Sequence, residues 1–542
     1  MKERDNFYQD LLRIKLECGK NLIELTAYDD IYLWWFVDFT FHRFIDDLKP
    51  DTSFVRFNRL KMSLLLLYRR VNLFVHILNS LFLRILLRFY DRKSRDKHSI
   101  RQKIVFTALD VEWRYVRDFS NHRLKKSDSL FDTIINRLKN RYTILGINTP
   151  RVFPLQGTRI FIEKLLWGEI LYHPFELYWS FQTWKAERRA IKRFDSIWEE
   201  IKDDAKLRAF CAQNGRQLYF HVRDKLVLYF RYGFPQIVRR IEIAKEIIRR
   251  ENPRFILIQD EYRDLGRSLV VAAKLAQIPT LAIQHGVITP THYGYMWHED
   301  HKDSAMLPKL TCVYGLYHYD LLIHKSIYET DQVKVTGSPR YDLLPVLDRI
   351  YSREVFLKKY NINPDHKIVL WTTQTHGLSP EENNKNLETI FGTLQQLEDV
   401  TLVIKQHPGE TKGNTGLITH HLKNYEINVI LTPKKADTLE YLLLCDLMIT
   451  RHSTTAMEAI ALQKPVIILN LSGEPDPVNY VKEGVAVGVY DGNQLRNTIV
   501  HLLKGDAELS VNRGKYIEKY LYKIDGRAAE RIISAAHLLT KH

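Results

Sequence analysis

The chain has 542 residues, of which 45% are hydrophobic and 27% are charged, with 23 glycines and 18 prolines. This length predicts about three or four domain-sized units, and the composition excludes a mainly disordered or fibrous protein. The 80 basic and 64 acidic residues leave a net charge of +16, which attracts nucleic acid, anionic lipid or phosphorylated substrates. The 4 cysteines are far apart and form no CxxC pair, which favours a reducing cytosol over a disulfide scaffold or cysteine zinc site.

Residues 1–98 are expected to form a helical, basic region. Between Arg69 and Lys97 there are eight basic residues against two acidic ones, and residues 71–83 form an uncharged apolar run. This run is too short to span a bilayer as a helix, which needs about 20 residues. Two interpretations stay open: a core helix followed by a solvated basic loop, or an interfacial helix on an anionic membrane. The pair Trp34–Trp35 is either an interfacial anchor or, as we favour, part of the core.

From residue 99 to 345, short β-branched runs alternate with helical stretches. Helices are predicted around 129–140 and 266–277, with a long helical region up to about Arg250, and strands at 103–109, 142–147, 255–260, 280–286, 310–315 and 332–337. Such alternation is typical of a parallel sheet covered by helices on both faces. This part of the chain is therefore expected to form one Rossmann-like domain.

The pattern starts again after Tyr341 and Asp342. Five buried-type strands are predicted, namely KIVLWTTQ (367–374), TLVIKQHP (401–408), NVILTP (428–433), DLMITRHS (446–453) and PVIILNL (465–471). The fold class is therefore α/β, with two doubly wound Rossmann-type domains, 99–345 and 346–542, that face a cleft. Ligands of such sheets bind beyond the carboxyl ends of the strands, so the residues that follow the strands are the candidates for function.

Polar side chains follow the predicted strands in both domains. The first domain supplies Asp260 after one strand, and His285 with Gly286 after the next. The second domain supplies Thr373, His376, Lys405, His407, Arg451, His452, Ser453, Thr454 and Thr455. A single histidine after a strand is usually structural, but histidines after three strands in both domains favour a common cleft.

The segment RHSTTAMEAIAL (451–462) predicts a phosphate site at the start of a helix. Ser453 or Thr454 would cap the helix, whose N–H groups and dipole suit a phosphate. Arg451 would add charge, and Glu458, about one turn later, would accept hydrogen bonds from sugar hydroxyls. An ordinary capped helix is the alternative interpretation. The segment lacks the glycine pattern of a dinucleotide site and the P-loop motif.

Four segments, TLAIQHG, VKVTGSPRYD, VIKQHPGE and TRHSTTAMEAIALQKPVI, resemble GT-B-type enzymes of surface-polymer synthesis, above all CDP-glycerol glycerophosphotransferases and capsular polysaccharide glycosyltransferases. The resemblance covers roughly residues 100–542 and implies a GT-B-like fold. It implies a catalytic base at His285, next to Gly286, and a donor-phosphate contact at His407. It further implies donor-phosphate binding by Ser453, Thr454 and Thr455, and we add Gly337 and Ser338 as candidate substrate-binding residues. Arg451 and His452 replace an acidic and an aromatic residue of the glycerophosphotransferases, which favours a nucleotide-sugar donor.

A second resemblance concerns WTTQTHGLSPEENNKN (371–386), which is similar in layout to a segment of non-hydrolysing UDP-N-acetylglucosamine 2-epimerases. In those enzymes, carboxylates on the first domain carry the proton chemistry. Asp260 falls where one of them is expected, whereas Gln284, His285 and Gly286 replace the segment with the next. Because epimerisation needs two acid/base groups, this replacement argues against it.

The sequence therefore predicts a transferase that moves a glycosyl or glycerophosphoryl group from a nucleotide-sugar or CDP-polyol donor to a glycan or lipid-linked acceptor in capsule or cell-envelope synthesis. His285 would be the general base, and Asp260 would either orient the imidazole or cap the following helix. His407, Lys405 and basic groups nearby would stabilise the departing nucleotide, so neither a cofactor nor a metal is expected. The alternatives are a nucleotide-sugar 2-epimerase and a non-catalytic scaffold.

The partners and location follow from the same observations. The spacing of His292, His298 and His301 matches no helix-borne zinc motif, and an acceptor-side loop is the favoured interpretation. No nucleic-acid recognition motif is present, so nucleic acid is not an expected partner. The protein is expected in the cytoplasm, either free or peripheral on the inner face of the cell membrane.

Overall fold

The computed structural model describes residues 2–47, 101–148, 158–213, 216–374, 378–407, 410–433 and 436–540, together with nine helical positions between 64 and 87. His376 and Pro408, both named from the sequence, lie outside the described residues. No helix of the described part is long and apolar enough to cross a membrane.

Residues 2–47 pack into the first domain. They form α1 (Lys2–Arg13), α2 (Leu22–Leu25), β1 (Ala27–Tyr28), β2 (Ile31–Tyr32) and α3 (Trp34–Asp47). Trp34 and Trp35 are both buried, in one hydrophobic cluster with Phe194 and Phe234 from helices of the first domain. The Trp34 indole N–H donates to the Tyr8 hydroxyl at 3.1 Å. The pair is therefore core, as favoured from the sequence, and not an interfacial anchor.

The first domain is built on a parallel sheet of β3, β6, β7, β8, β9, β10 and β11. Its elements in chain order are β3 (Lys103–Ala108), β4 (Trp113–Arg117), β5 (Leu124–Asp128), α4 (Asp132–Leu138), β6 (Thr143–Asn148), α5 (Thr158–Trp167), β7 (Leu171–Pro174), α6 (Phe181–Ile201), α7 (Ala205–Gln213), α8 (Arg216–Leu228), α9 (Phe234–Glu251), β8 (Phe255–Ile258), α10 (Asp264–Leu275), β9 (Thr280–Ile283), β10 (Leu310–Val313), α11 (Leu316–Lys325) and β11 (Val333–Val335).

The second domain is built on a parallel sheet of β12 to β17. Its elements are α12 (Arg353–Tyr360), β12 (Lys367–Thr372), α13 (Pro380–Leu394), β13 (Val400–Lys405), α14 (Lys412–Leu422), β14 (Asn428–Leu431), α15 (Thr438–Leu444), β15 (Leu447–Thr450), α16 (Thr455–Ala461), β16 (Val466–Leu469), β17 (Val487–Val489), α17 (Leu495–Lys504) and α18 (Ala507–Tyr516). The two predicted doubly wound α/β domains are thus confirmed.

Both sheets have the same strand order. The first runs β11-β10-β9-β8-β3-β6-β7 and the second β14-β13-β12-β15-β16-β17. When the strands of each sheet are numbered in chain order, both sheets contain the Rossmann order 3-2-1-4-5-6, which reverses direction beside the first strand. The reversal lies between β3 and β8 in one domain and between β12 and β15 in the other. These two points are where a ligand of each sheet is expected.

The last helix, α19 (Ala528–Leu539), returns to the first domain. Ala529, Ile532, Ala535 and Ala536 are buried with strand residues of the first sheet, among them Phe106. Asp342 caps the helix, since its carboxylate accepts from the backbone N–H groups of Ala528 and Ala529 at 2.8 and 2.9 Å. The sequence places these residues in the second domain, whereas their apolar face completes the core of the first.

From residue 103 onward, four strands of the described chain were not predicted, and each has a physical reason. The hairpin of β4 and β5 reads WRYVR and LKKSD, so its charged residues hide the apolar alternation that predicts a strand. The short strand β7 ends in a proline, and β17 has only three residues, one of them a glycine. Proline and glycine are both depleted in strands.

The burial of the N-terminal helices leads to a stability prediction. We expect Trp34→Ala to lower the free energy of unfolding by about 3–5 kcal/mol, the usual effect of removing a large aromatic side chain from a core. Trp167→Ala is the matched control, because Trp167 is 57% exposed, and it should cost less than about 1 kcal/mol. Thermal unfolding followed by circular dichroism measures both, and equal losses would contradict the packing of α3 as core.

Candidate active site

The two predicted catalytic residues, His285 and Asp260, lie in contact. The His285 Nε2 atom lies 3.0 Å from the Asp260 Oδ1 atom, and the two side chains are 22% and 11% exposed. The hydroxyl of Tyr262 lies 3.4 Å from the same nitrogen. Of the two roles considered for Asp260, orienting the imidazole is the one that this contact supports.

Strand register brings the two residues together. The neighbouring strands β8 and β9 pair in parallel, with Ile258 opposite Ala282, so that Asp260 and His285 follow at the same edge of the sheet. Asp260 has a positive φ of 62°, which turns the chain sharply after β8. Gly266 permits this turn, since a Cβ atom there would lie 2.4 Å from the Asp260 carbonyl oxygen.

Asp260 and His285 stabilise each other's charged form. Burial favours a neutral imidazole, but the carboxylates of Asp260, Glu261 and Glu112 outweigh it and raise the pKa of His285. Burial alone would raise the pKa of Asp260, yet contact with His285 holds it below its ordinary value. The result is an ionised carboxylate beside an imidazole of increased basicity.

An aromatic layer lies behind the pair. The Tyr262 ring is 6.0 Å from that of His285 and 5.0 Å from that of His292. Phe39 of α3 contacts Tyr262 from the other side at 5.3 Å. Glu261 is buried beneath this layer, where it accepts from the Tyr295 hydroxyl at 3.1 Å, and burial raises its pKa to about 7. Helix α3 thus supports the site through Phe39, a role that the sequence did not indicate.

Gln284 has a structural role. Its side chain is fully buried, its carbonyl oxygen accepts from the Tyr314 backbone N–H, and its amide donates to the Gly286 carbonyl, both at 2.7 Å. By contrast, a Cβ atom placed on Gly286 would have no described neighbour within 4 Å. The open space at this strand end therefore lies beside His285, while Gln284 fixes the backbone.

An ionic network lies on the first-domain side of the site, and the sequence did not predict it. Arg340 donates to the Glu112 Oε2 atom at 2.9 Å, and the Gln259 amide donates to Oε1 at 3.4 Å. Arg340 comes from the segment that joins the domains. Of the candidate residues in that segment, Ser338 is buried and Gly337 packs beside Ala528 of α19. Only Arg340 of this segment points into the network.

In the second domain, Gln374 links the two strand ends at the reversal of strand order. Its side-chain oxygen accepts from the backbone N–H of His452 at 2.7 Å and from the Thr450 hydroxyl at 3.4 Å. The Ser453 hydroxyl accepts from the Thr455 backbone N–H at 3.1 Å, in the turn that leads into α16. Thr454, the N-cap residue of this helix, is exposed and makes no side-chain capping hydrogen bond. Ser453 therefore holds the turn, and Gln374 positions it.

Thr373 organises the loop that carries His407. Its hydroxyl donates to the Glu410 carboxylate at 2.6 Å and accepts from the His407 backbone N–H at 3.0 Å. Lys405 is buried, and burial lowers the pKa of its ammonium group to about 8. Thr373 is therefore a positioning residue of this loop, while Lys405 supplies a cation that is easily neutralised.

Two residues of the turn at 451–458 point in different directions. Arg451 donates to Asn470 and, at 2.9 Å, to the Ser472 hydroxyl, so it braces the loop after β16. Burial raises the pKa of Glu458 to about 7, against the opposing effect of Arg340 and Arg114 from the first domain. Both cations therefore act electrostatically on Glu458 from outside its own domain.

The described residues contain no cluster of three or more His, Cys, Asp or Glu side chains that could hold a metal ion. The predicted loop histidines have other contacts. His292 packs on Tyr262, and burial lowers its pKa to about 4. His301 packs on Trp35 at 4.6 Å. Both rings pack on aromatic side chains of the chain's first 300 residues.

Comparison with known proteins gives one family and a set of similar folds. A protein-family model described as UDP-N-acetylglucosamine 2-epimerase matches residues 237–537. The search of curated proteins found no match. Among solved structures, the chain is similar to the UDP-GlcNAc 2-epimerase from Neisseria meningitidis bound to UDP-GlcNAc, with 14% identity, coverage of 80% of this chain and 100% of that chain, and a TM-score of 0.49.

Two further solved structures are similar. The glycosyltransferase from Rickettsia africae has 13% identity, with coverage of 82% of this chain and 100% of that one and a TM-score of 0.45. The wall teichoic acid polymerase TagF, solved with CDPG, has 12% identity, with coverage of 87% and 98% and a TM-score of 0.43.

The contact between His285 and Asp260 can be tested without any substrate. We expect Asp260→Asn to lower the pKa of His285, because it removes the carboxylate that stabilises the charged imidazole while burial remains. The imidazole resonances of His285, assigned with a His285→Gln variant, report this pKa in an NMR titration. Asp264→Asn is the control on the same turn and should leave the pKa in place. An unchanged pKa in Asp260→Asn would contradict the pairing.

Proposed function

The chain belongs to the UDP-N-acetylglucosamine 2-epimerase family, and from this premise we propose that it is a transferase that uses a nucleotide-activated donor. It would move a glycosyl or glycerophosphoryl group to a hydroxyl of a glycan or lipid-linked acceptor. The observation that carries the proposal is the contact of His285 with Asp260 at the strand ends, beside open space at Gly286. A single oriented imidazole is what removal of a hydroxyl proton requires.

In the proposed mechanism, the acceptor hydroxyl enters beside Gly286 and gives its proton to the His285 imidazole as its oxygen attacks the donor. Asp260 faces Nε2, so that nitrogen carries the proton of the neutral ring and Nδ1 keeps its lone pair. Nδ1 is buried and makes no hydrogen bond to a described residue, so the acceptor hydroxyl would have to reach this buried atom for the transfer. Asp260 then stabilises the imidazolium that forms, as its present effect on the pKa of His285 supports.

The donor would bind to the second domain, with its phosphates at Ser453, Thr454 and Thr455 and at His407. His452 lies beside this turn, held through its backbone by Gln374. Positive charge at this site comes from Arg114, Arg340 and Lys405. Arg114 acts electrostatically on the pKa of both Lys405 and Glu458. Cations of this kind would stabilise the negative charge on the departing nucleotide. Glu458 remains the proposed acceptor for sugar hydroxyls.

The second candidate is a nucleotide-sugar 2-epimerase, which the family match favours directly. Inverting a carbon centre requires removal of a proton from one face and delivery to the other, and hence two acid/base groups on opposite sides. Asp260 and His285 contact each other, so a second acid/base group would have to come from elsewhere in the cleft. The next strand end provides Gln284, whose amide is bound to backbone on both sides, whereas Glu458 of the second domain, with a pKa raised to about 7, could fill that role. The transferase stays our proposal because one oriented imidazole is enough for it.

The two functions differ in their products. We expect incubation with a nucleotide donor and acceptor glycans to release nucleoside mono- or diphosphate, measured by mass spectrometry over a panel of UDP-sugars and CDP-glycerol. Recovery of an intact isomeric UDP-sugar, with no nucleotide release, would identify the epimerase instead. A heat-denatured sample controls for spontaneous donor hydrolysis.

The proposed base leads to a kinetic prediction. His285→Ala should reduce the single-turnover rate by about 10²–10⁴-fold, the usual contribution of a positioned general base. Donor affinity, measured by calorimetry, should hardly change because the donor lies on the other domain. His407→Ala should show the reverse, with weaker donor binding.

His420→Ala is the matched control, since His420 is an exposed histidine at the end of α14, and it should change neither quantity. Near-normal turnover in His285→Ala together with an inactive Asp260→Ala would assign the base to Asp260.

A further inference from the structure

An exposed apolar stripe lies on the helical residues between 64 and 87. Its members are 50–58% exposed and follow one another at intervals of three, four or seven residues, namely Leu64, Leu67, Val71, Leu78, Phe82 and Ile85. This spacing places them on one face of a helix. Six exposed apolar side chains at such spacing among the nine described positions are uncommon on a free surface and mark a site of interaction.

The stripe is fixed to the first domain at its carboxyl end. Leu87 is buried in the hydrophobic cluster that also holds Phe106 of β3. The Arg84 guanidinium donates to the carbonyl oxygens of Leu177 and Trp179. These carbonyls immediately precede α6, so the apolar stripe ends where α6 begins.

The exposed face of the first half of α6, residues 181–193, is strongly basic. Five cations are exposed at intervals that place them on one side of the helix, namely Lys185, Arg188, Arg189, Lys192 and Arg193. Glu187, the one acidic residue between 181 and 193, is buried and pairs with Arg239 at 3.3 Å. None of the described carboxylates forms an ion pair with the five cations. Phe181, which begins the helix, is 67% exposed.

We propose that the apolar stripe and the basic face of α6 form one docking surface for an anionic lipid bilayer. The stripe would enter the boundary between head groups and acyl chains, and the cations of α6 would lie at the level of the phosphates. Charge complementarity selects this occupant, because a second copy of the chain would bring the two sets of five cations together. The proposal does not depend on the activity of the cleft.

Vesicle flotation of the full chain tests the proposal. We expect the protein to float with vesicles of phosphatidylcholine and phosphatidylglycerol, and not with phosphatidylcholine alone. Raising the salt concentration should release it, because screening weakens attraction to the surface. Equal flotation with both vesicles, or flotation with neither, would overturn the proposal.

Two variants test the two parts of the surface. Lys185→Glu/Arg188→Glu/Lys192→Glu should bind anionic vesicles about 100-fold more weakly, since each cation near the surface contributes about fivefold. Leu67→Ser/Val71→Ser/Leu78→Ser should lose flotation while keeping the circular dichroism spectrum of the folded protein.

The matched control reverses three exposed cations of the second domain, Lys385→Glu/Lys423→Glu/Arg496→Glu, with the same change in net charge. It should float like the wild type. An equal loss of flotation would mean that only net charge matters, and it would overturn the proposal.

Sedimentation that shows a dimer lost in the stripe variant, without flotation of the wild type, would assign the stripe to contact between copies. Binding to transfer RNA without binding to vesicles would assign the basic face to nucleic acid. Either result would overturn the proposal.

Discussion

Parallel pairing is the constraint on which the rest of the structure depends. Because every strand of each main sheet runs the same way, their carboxyl ends meet at one edge, and the chain crosses over between most neighbouring strands through helices. The crossovers cover the faces of the sheets, so the polar groups of the site lie in loops at the strand ends. Asp260 and His285 meet because their strands are neighbours, and Thr373 and His407 for the same reason. Buried hydrophobic strands thus provide a rigid frame for an otherwise unfavourable concentration of charge.

The parts of the fold that could be predicted from sequence are those that depend on residues close together in the chain. β8 and β9 are short apolar runs, and the polar residues after them are visible without knowledge of the fold. Contacts between distant segments were not visible: Arg340 reaches Glu112 from a segment 228 residues away, and no local pattern marks either as a partner. The role of Phe39 behind Tyr262 was hidden likewise, since an aromatic residue in an amphipathic helix indicates only burial. Gln374 appeared to be the last residue of a strand, and its hydrogen bonds to the neighbouring strand end depend on strand order.

The site illustrates how one fold accommodates different chemistry. Membership of a family fixes the two domains and the cleft, whereas the reaction depends on which side chains occupy a few strand ends. Here one such position holds Gln284, whose amide stabilises the backbone, and the adjacent position holds His285 with its carboxylate partner. Which reaction these side chains carry out is therefore a question for the site and not for the family.

The return of α19 to the first domain has a consequence for exchanging parts between relatives. The chain crosses between the domains twice, once before α12 and once between α18 and α19, and Asp342 of the first crossing caps the helix that follows the second. The second domain is therefore enclosed in the chain between two parts that pack in the first domain. A chimera with a single junction would take α19 from one parent and the groove that receives it from the other. Two junctions, one on each crossing, would keep that helix with its own core and allow the second domain to be exchanged as a unit.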